Sequence, residues 1–201
     1  MEEQHLSNEE SLLLITRMIN QAKNSYYESG MGCLLWGITN VICFMLTYCQ
    51  EMQFFHLPFN PFLLMIVTFF IQLYYDRKER HIKKAVNYLD DVHKYIWSTF
   101  GISVLILTIG GGLTHIGYIV LPLLLLLFSI PTVITGCINS FPPMIIGGVI
   151  CWILSILAFI NKAHYSSYLL VAGGAAVAWV IPGLILRGRF KKRNLLALQN
   201  K

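Results

Sequence analysis

Three histidines have the type and placement to do chemistry. His56, His115 and His164 fall one in each of three turns between long apolar runs, all on what would be the outer side of a membrane bundle. Three imidazoles brought together can hold zinc or copper, and a single imidazole can report pH. None of the three has a partner at local ligand spacing, and turn histidines at a water interface are common without a metal. A second group is hydroxylic: Ser129, Thr132 and Thr135 flank Pro131 in a run that also contains Pro122. Each proline deletes a backbone donor and crowds the preceding turn, so this segment is expected to bend and open a cavity lined by these hydroxyls. Asn40 lies near the middle of another apolar run, where its amide wants a partner on a neighbouring helix. For all four the plainer reading is cross-helix glue.

Enzyme signatures are missing. Gly101-Ile102-Ser103-Val104 lacks the second glycine of a serine-nucleophile elbow, and there is no HExxH and no glycine-rich phosphate loop. Glu9-Glu10 has no arginine three residues further on, as a membrane prenyl-protease would. No cofactor is implied. The five cysteines, Cys33, Cys43, Cys49, Cys137 and Cys151, lie in or beside apolar runs without CxxC or metal spacing and read as small hydrophobes.

The elements that must position these residues are membrane helices. The chain is 56% hydrophobic and only 12% charged, and no Asp, Glu, Lys or Arg lies between Lys94 and Lys162 or within residues 163–186. A bilayer crossing needs about 20 apolar residues to cover roughly 30 Å of hydrocarbon. The pattern predicts an all-α, polytopic protein with six spans near Cys33–Gln50, Leu57–Tyr75, Ile96–Leu113, Ile116–Ile138, Pro142–Asn161 and Tyr165–Leu186. Gly110, Gly111 and Gly112, with Leu113, Thr114 and His115, are expected to form the turn between the third and fourth spans. Pro142 and Pro143 suit the first turn of the fifth. A four-span arrangement would leave apolar runs of helical length unassigned. The acidic start, Met1–Glu10, is unlike a cleavable signal peptide, so insertion is expected to use the internal spans.

Six spans place every basic residue except Lys162 on one side, and the positive-inside rule makes that side cytoplasmic. Both termini then face the cytoplasm. Residues 1–32 form an arm, in which Ser7-Asn8-Glu9-Glu10 is a capping box opening a helix with Leu12, Ile15, Ile19, Ala22 and Tyr26 on one stripe. That stripe packs on the protein's own span ends or docks a partner or a second copy; the first is preferred, because the helix is short for a free coiled coil. A second cytoplasmic helix is expected over about 76–95, with Glu79–Lys83 and Asp90–Lys94 as i,i+4 pairs. The basic tail, 187–201, carries Arg187, Arg189, Lys191, Lys192 and Arg193, a cluster suited to anionic lipid head groups and less to nucleic acid. Small residues in the fifth span (Gly147, Gly148) and the sixth (residues 172–178) mark close packing, within one chain or between chains.

The stretch Leu6-Ser7-Asn8-Glu9-Glu10-Ser11-Leu12, continuing through Met18-Ile19-Asn20-Gln21-Ala22-Lys23 to Leu34-Leu35-Trp36-Gly37, resembles a family of uncharacterised bacterial multipass membrane proteins. The resemblance covers mainly the first 40 residues. It implies a small bacterial inner-membrane component, in a family whose genes sometimes lie near winged-helix regulators, and it supplies no catalytic residues. The expectation is a non-enzymatic membrane protein with a cytoplasm-facing interaction or regulatory role. A small transporter or channel around the fourth span is the alternative, and a membrane enzyme acting on lipid a weaker one.

Overall fold

The computed structural model describes residues 30–82, 88–114, 117–161 and 164–199, together with Leu13 and Thr16. The described residues are helical, without a strand, in the order α1 (Met31–Glu51), α2 (Leu63–Ile82), α3 (Tyr88–Thr114), α4 (Gly117–Ile138), α5 (Pro142–Ile160) and α6 (His164–Ala175). A π-helical turn, Ala176–Val180, then leads into α7 (Ile181–Gln199), so that the last three form one continuous rod. Among the described residues, five helical stretches are long and apolar enough to cross a membrane: Met31–Glu51, Asp91–Thr114, Ile119–Ile138, Pro142–Ile160 and Tyr165–Lys192.

The expected second span is the exception among the six. Residues 52–62 are turn and irregular backbone, and the helix starts only at Leu63, because Pro58 and Pro61 cannot supply the donors a helix needs there. From Leu63 to Tyr75 the apolar helical stretch is about 20 Å long. Beyond it come Asp76 and Arg77. The irregular stretch is tied down locally: Cys43 donates to the Pro61 carbonyl at 3.2 Å, and the Asn60 side chain accepts from the Phe62 amide at 3.0 Å.

Contacts fix the relative directions of the helices. The Thr39 and Thr68 hydroxyls meet at 2.9 Å and Gln72 lies against Gly32, so α2 runs antiparallel along α1. His93 meets Asn139 and Phe100 meets Phe128, which sets α3 antiparallel to α4. Gly148 lies against Val133, and Gly136 against Ile145, which does the same for α4 and α5. Gly147 against Ala178, and Gly37 against Val180, set the last rod antiparallel to both α5 and α1. Thus α1, α3 and α5 run one way and α2, α4 and α6–α7 the other. The starts of α1, α3 and α5 share an end with Arg187 and Arg189, here termed the basic end.

The core joins α1, α4, α5 and the last rod, around Phe44, Leu121, Leu124, Leu125, Phe128, Cys151, Val171 and Trp179. By contrast, α2 packs on α1 and α3 packs on α4, each with much apolar surface facing outward, as lipid-facing helices do. The expected glycine turn is corrected: Gly110, Gly111 and Gly112 are helical, and α3 continues to Thr114, whose hydroxyl donates to the Gly110 carbonyl at 2.7 Å. Glycine permits a reversal without requiring one. Pro142 and Pro143 open α5 as expected. The expected helix over 76–95 is split between the continuation of α2 to Ile82 and the start of α3 at Tyr88, with 83–87 outside the described residues. Most of the Ser7–Tyr27 arm also lies outside them; Leu13 and Thr16 are helical and exposed.

Candidate functional site

The polar residues of α4 are placed by two periodicities at once. On a helix, Phe128, Thr132, Thr135 and Asn139 share one face, and the structure turns that face toward α3 and Trp179. Ser129, Thr132 and Thr135 are completely buried and Asn139 almost so. The helix runs unbroken past Pro122 and Pro131. Ser129 donates to the Leu126 carbonyl at 2.6 Å and Thr132 to the Phe128 carbonyl at 2.6 Å, on either side of Leu127, whose usual partner Pro131 has no N–H. Across the interface, Ser155 of α5 donates to the Pro122 carbonyl at 2.9 Å.

Trp179 completes this site from the π-helical turn, and neither that residue nor the turn is singled out by the sequence patterns. Its indole N–H donates to Thr132 Oγ1 at 2.9 Å. Its ring lies 4.9 Å from Phe128, 5.6 Å from Trp97 and 6.2 Å from Phe100, centroid to centroid. The widened turn has a local cause. Pro182 has no N–H to give the Ala178 carbonyl, and membrane helices accommodate such a proline by a π adjustment. The Ile181 N–H reaches back to the Ala176 carbonyl. A proline in the last span is therefore the available signal, and Trp179 amid alanines the second.

Thr135 differs from its neighbours. Its hydroxyl is buried and has no hydrogen-bond partner among the described residues. A lone buried hydroxyl is destabilising, so Thr135→Val, which keeps the shape and removes the polar atom, is expected to leave stability unchanged or raise it by about 1 kcal/mol. Thermal unfolding in detergent measures this. A fall of more than about 1 kcal/mol would mean that the hydroxyl is bonded in the native protein.

At the basic end the short α4–α5 turn gathers two further contacts. Asn139 Nδ2 lies 3.1 Å from His93 Nε2, and both side chains are buried. Two residues on, the Arg189 guanidinium sits 5.3 Å from the centroid of the buried Phe141 ring. Between them Ser140 adopts φ 49, the left-handed region that closes the turn. This turn thus anchors the starts of both projecting segments, α3 and the tail of α7. Arg187, Arg189, Lys191 and Lys192 are exposed on α7; Arg193 is helical and its side chain is not described.

The other candidates do not converge on this site. Asn40 is buried, but its amide donates at 2.8 Å to Trp36 O on its own helix instead of crossing to a neighbour. His56 is exposed near the far end of the bundle, His115 lies outside the described residues, and the His164 side chain is not described. Among the described residues no three His, Cys, Asp or Glu side chains are arranged to hold a metal. Cys43 and Cys151 are buried, with their thiols directed at the carbonyls of Pro61 and Gly174, while Cys137 is exposed. The small residues pack within this chain: Gly147 on Ala178, Gly148 on Val133, and Gly174 on Leu125 and Cys151. The chain matches no family model, no curated protein and no solved structure, and its chemistry rests on the geometry described above.

Proposed function

We propose that the protein is a six-pass inner-membrane anchor that presents a basic helical layer to the cytoplasm, where it engages a protein partner and performs no chemistry of its own. The observation that carries this reading is the last rod, which does not stop at the membrane boundary. It remains helical through Gln199, about 20 Å past Leu186. A topology anchor alone needs only a few flanking charges, whereas an ordered helix with exposed Arg187, Arg189, Lys191 and Lys192 offers a surface. Support also comes from α2 and α3, which continue as helices past Tyr75 and start before Tyr95 at the same end. The tightly filled α4 face, with Trp179 bonded to Thr132, favours a structural role for the hydroxyls over a transport path.

In this reading α2 completes the sixth crossing, with residues 52–62 carrying the chain along the outer part of α1. The basic end is cytoplasmic by the positive-inside rule. In a background with the native cysteines replaced, Lys94→Cys, Ser140→Cys and Arg189→Cys are expected to be labelled only from the cytoplasm. Gln53→Cys and Ser166→Cys are expected to react only from outside. Outside labelling at position 140 or 189 would overturn the topology.

Partner engagement is tested by photo-crosslinking in intact cells. A photoreactive residue at position 77 or 191 is expected to give a discrete protein adduct, and one at Ile106, on the outward face of α3, is not. Equal yields from both kinds of position, or no adduct from positions 77 and 191, would defeat the reading.

A further inference from the structure

The sequence points to the tail alone as a basic surface, and the fold adds to it. Arg77 on α2, Lys94 on α3, and Arg187, Arg189, Lys191 and Lys192 on α7 are all exposed at the basic end. Of the acids at this end whose side chains are described, Asp76 accepts a hydrogen bond from Gln72 Nε2 at 2.7 Å, and Asp91 is exposed. Among the described side chains, cations therefore dominate this rim. Aromatic side chains stand beside them: Tyr74 and Tyr75 precede Arg77, Tyr95 follows Lys94, and Tyr74 and Tyr95 are 66% and 67% exposed. Exposed tyrosine next to lysine or arginine, on helices leaving an apolar bundle, is the pattern of the hydrocarbon–water boundary.

The tail has a geometry of its own. At 100° per residue, positions 187, 189, 191 and 192 spread over an arc of about 200° on α7, wider than one helix face. As the continuation of the last membrane rod, the helix stands through the head-group layer with cations over somewhat more than half of its circumference. Arg189 is held over Phe141, which is only 1% exposed, and beside it the exposed Ser140 turns outward in its left-handed conformation. A guanidinium fixed over a ring keeps N–H donors free for the paired oxygens of a phosphodiester.

We infer that this rim is a binding collar for anionic phospholipid head groups, with Arg189 as its most ordered phosphate contact. The occupant is a lipid and not free phosphate, because the cations lie where aromatic side chains mark the edge of the hydrocarbon. Bound lipid would also hold the projecting helices at a fixed height above the membrane.

The test uses the full chain in phosphatidylcholine vesicles containing brominated phosphatidylglycerol or brominated phosphatidylcholine, read by quenching of tryptophan fluorescence. The wild type is expected to prefer phosphatidylglycerol by roughly fivefold or more at low salt. Near-molar salt is expected to bring that preference toward parity. The Arg187→Gln/Arg189→Gln/Lys191→Gln/Lys192→Gln protein, with unchanged thermal unfolding, is expected to lose most of that preference, the remainder resting on Arg77 and Lys94. Among single variants, Arg189→Gln is expected to lose more than Lys192→Gln, and Arg189→Lys to recover little of the loss. Equal quenching by both lipids in the wild type would overturn the collar, as would a preference left undiminished by neutralisation of the four tail charges. Absence of lipid preference together with salt-sensitive binding of a polyglutamate peptide would assign the same cations to a protein partner instead.

Discussion

Gly147→Leu is expected to yield little or no folded protein, while Gly173→Ala yields normal amounts. Both glycines are helical, Gly147 buried and Gly173 exposed, and they differ in what faces them. A Cβ on Gly147 would come within 2.8 Å of the Ala178 Cα and 2.9 Å of the Val177 carbonyl oxygen. Both are backbone atoms of the π-helical turn and cannot rotate away. Overpacking that side chains can absorb costs about 1–3 kcal/mol, and here α5 must separate from the last rod, so about 3 kcal/mol or more is expected. Gly173 has nothing within 4 Å, and alanine there gains about 0.5–1 kcal/mol from reduced backbone freedom. Fluorescence-detected size exclusion after a heating series reads both variants. A Gly147→Leu protein that melts with the wild type would show that α5 and the last rod do not touch as described.

Trp179→Ala is the second large effect, at about 3–5 kcal/mol of lost stability. The indole is 2% exposed, fills the space between Phe128, Trp97 and Phe100, and supplies the donor to Thr132. Trp179→Phe separates the two contributions: it retains most of the ring contacts and loses the N–H. It is expected to cost about 1 kcal/mol, because the Thr132 hydroxyl still donates to Phe128 O and is not orphaned. The measured order should be alanine far below phenylalanine, and phenylalanine slightly below wild type. If the alanine variant is as stable as wild type, the aromatic cluster is not the centre of the fold.

Much of this architecture is legible in the sequence, because a run of some twenty residues without a charge suits hydrocarbon and little else. The expected segments Cys33–Gln50, Ile96–Leu113, Pro142–Asn161 and Tyr165–Leu186 all lie within or close to the observed helices. Composition fails where helix and apolar run are different things. Leu57–Phe62 is apolar enough to count as membrane sequence, yet Pro58 and Pro61 keep it out of the helix, and there the missing donors outweigh hydropathy. The glycines at 110–112 mislead in the opposite sense, since their freedom to turn is not used. Burial of Ser129, Thr132 and Thr135 follows from their place in the fourth span, but their partner does not, since a tryptophan forty-seven positions along is matched to Thr132 only by the crossing of two helices. The pairing of His93 with Asn139 has the same character, for it depends on how far α3 extends past the boundary.

If α2 is the sixth crossing, as proposed above, its shortness has a consequence for the lipid itself. Its apolar helical length of about 20 Å falls well below the roughly 30 Å of a typical hydrocarbon layer, and the remainder is bordered by an irregular segment bearing exposed Phe54, Phe55 and Phe59. Such a mismatch is met by local thinning or by aromatic side chains reaching along the boundary, at fractions of a kcal/mol per Å. Another outward-facing helix, α3, presents a longer apolar wall through Ile102, Leu105, Ile106, Ile109 and Leu113. In the six-pass reading proposed above, the molecule would impose two different thicknesses on these two flanks, and a bilayer that thickens or thins would act on it as a tilting force, with α2 as the compliant side.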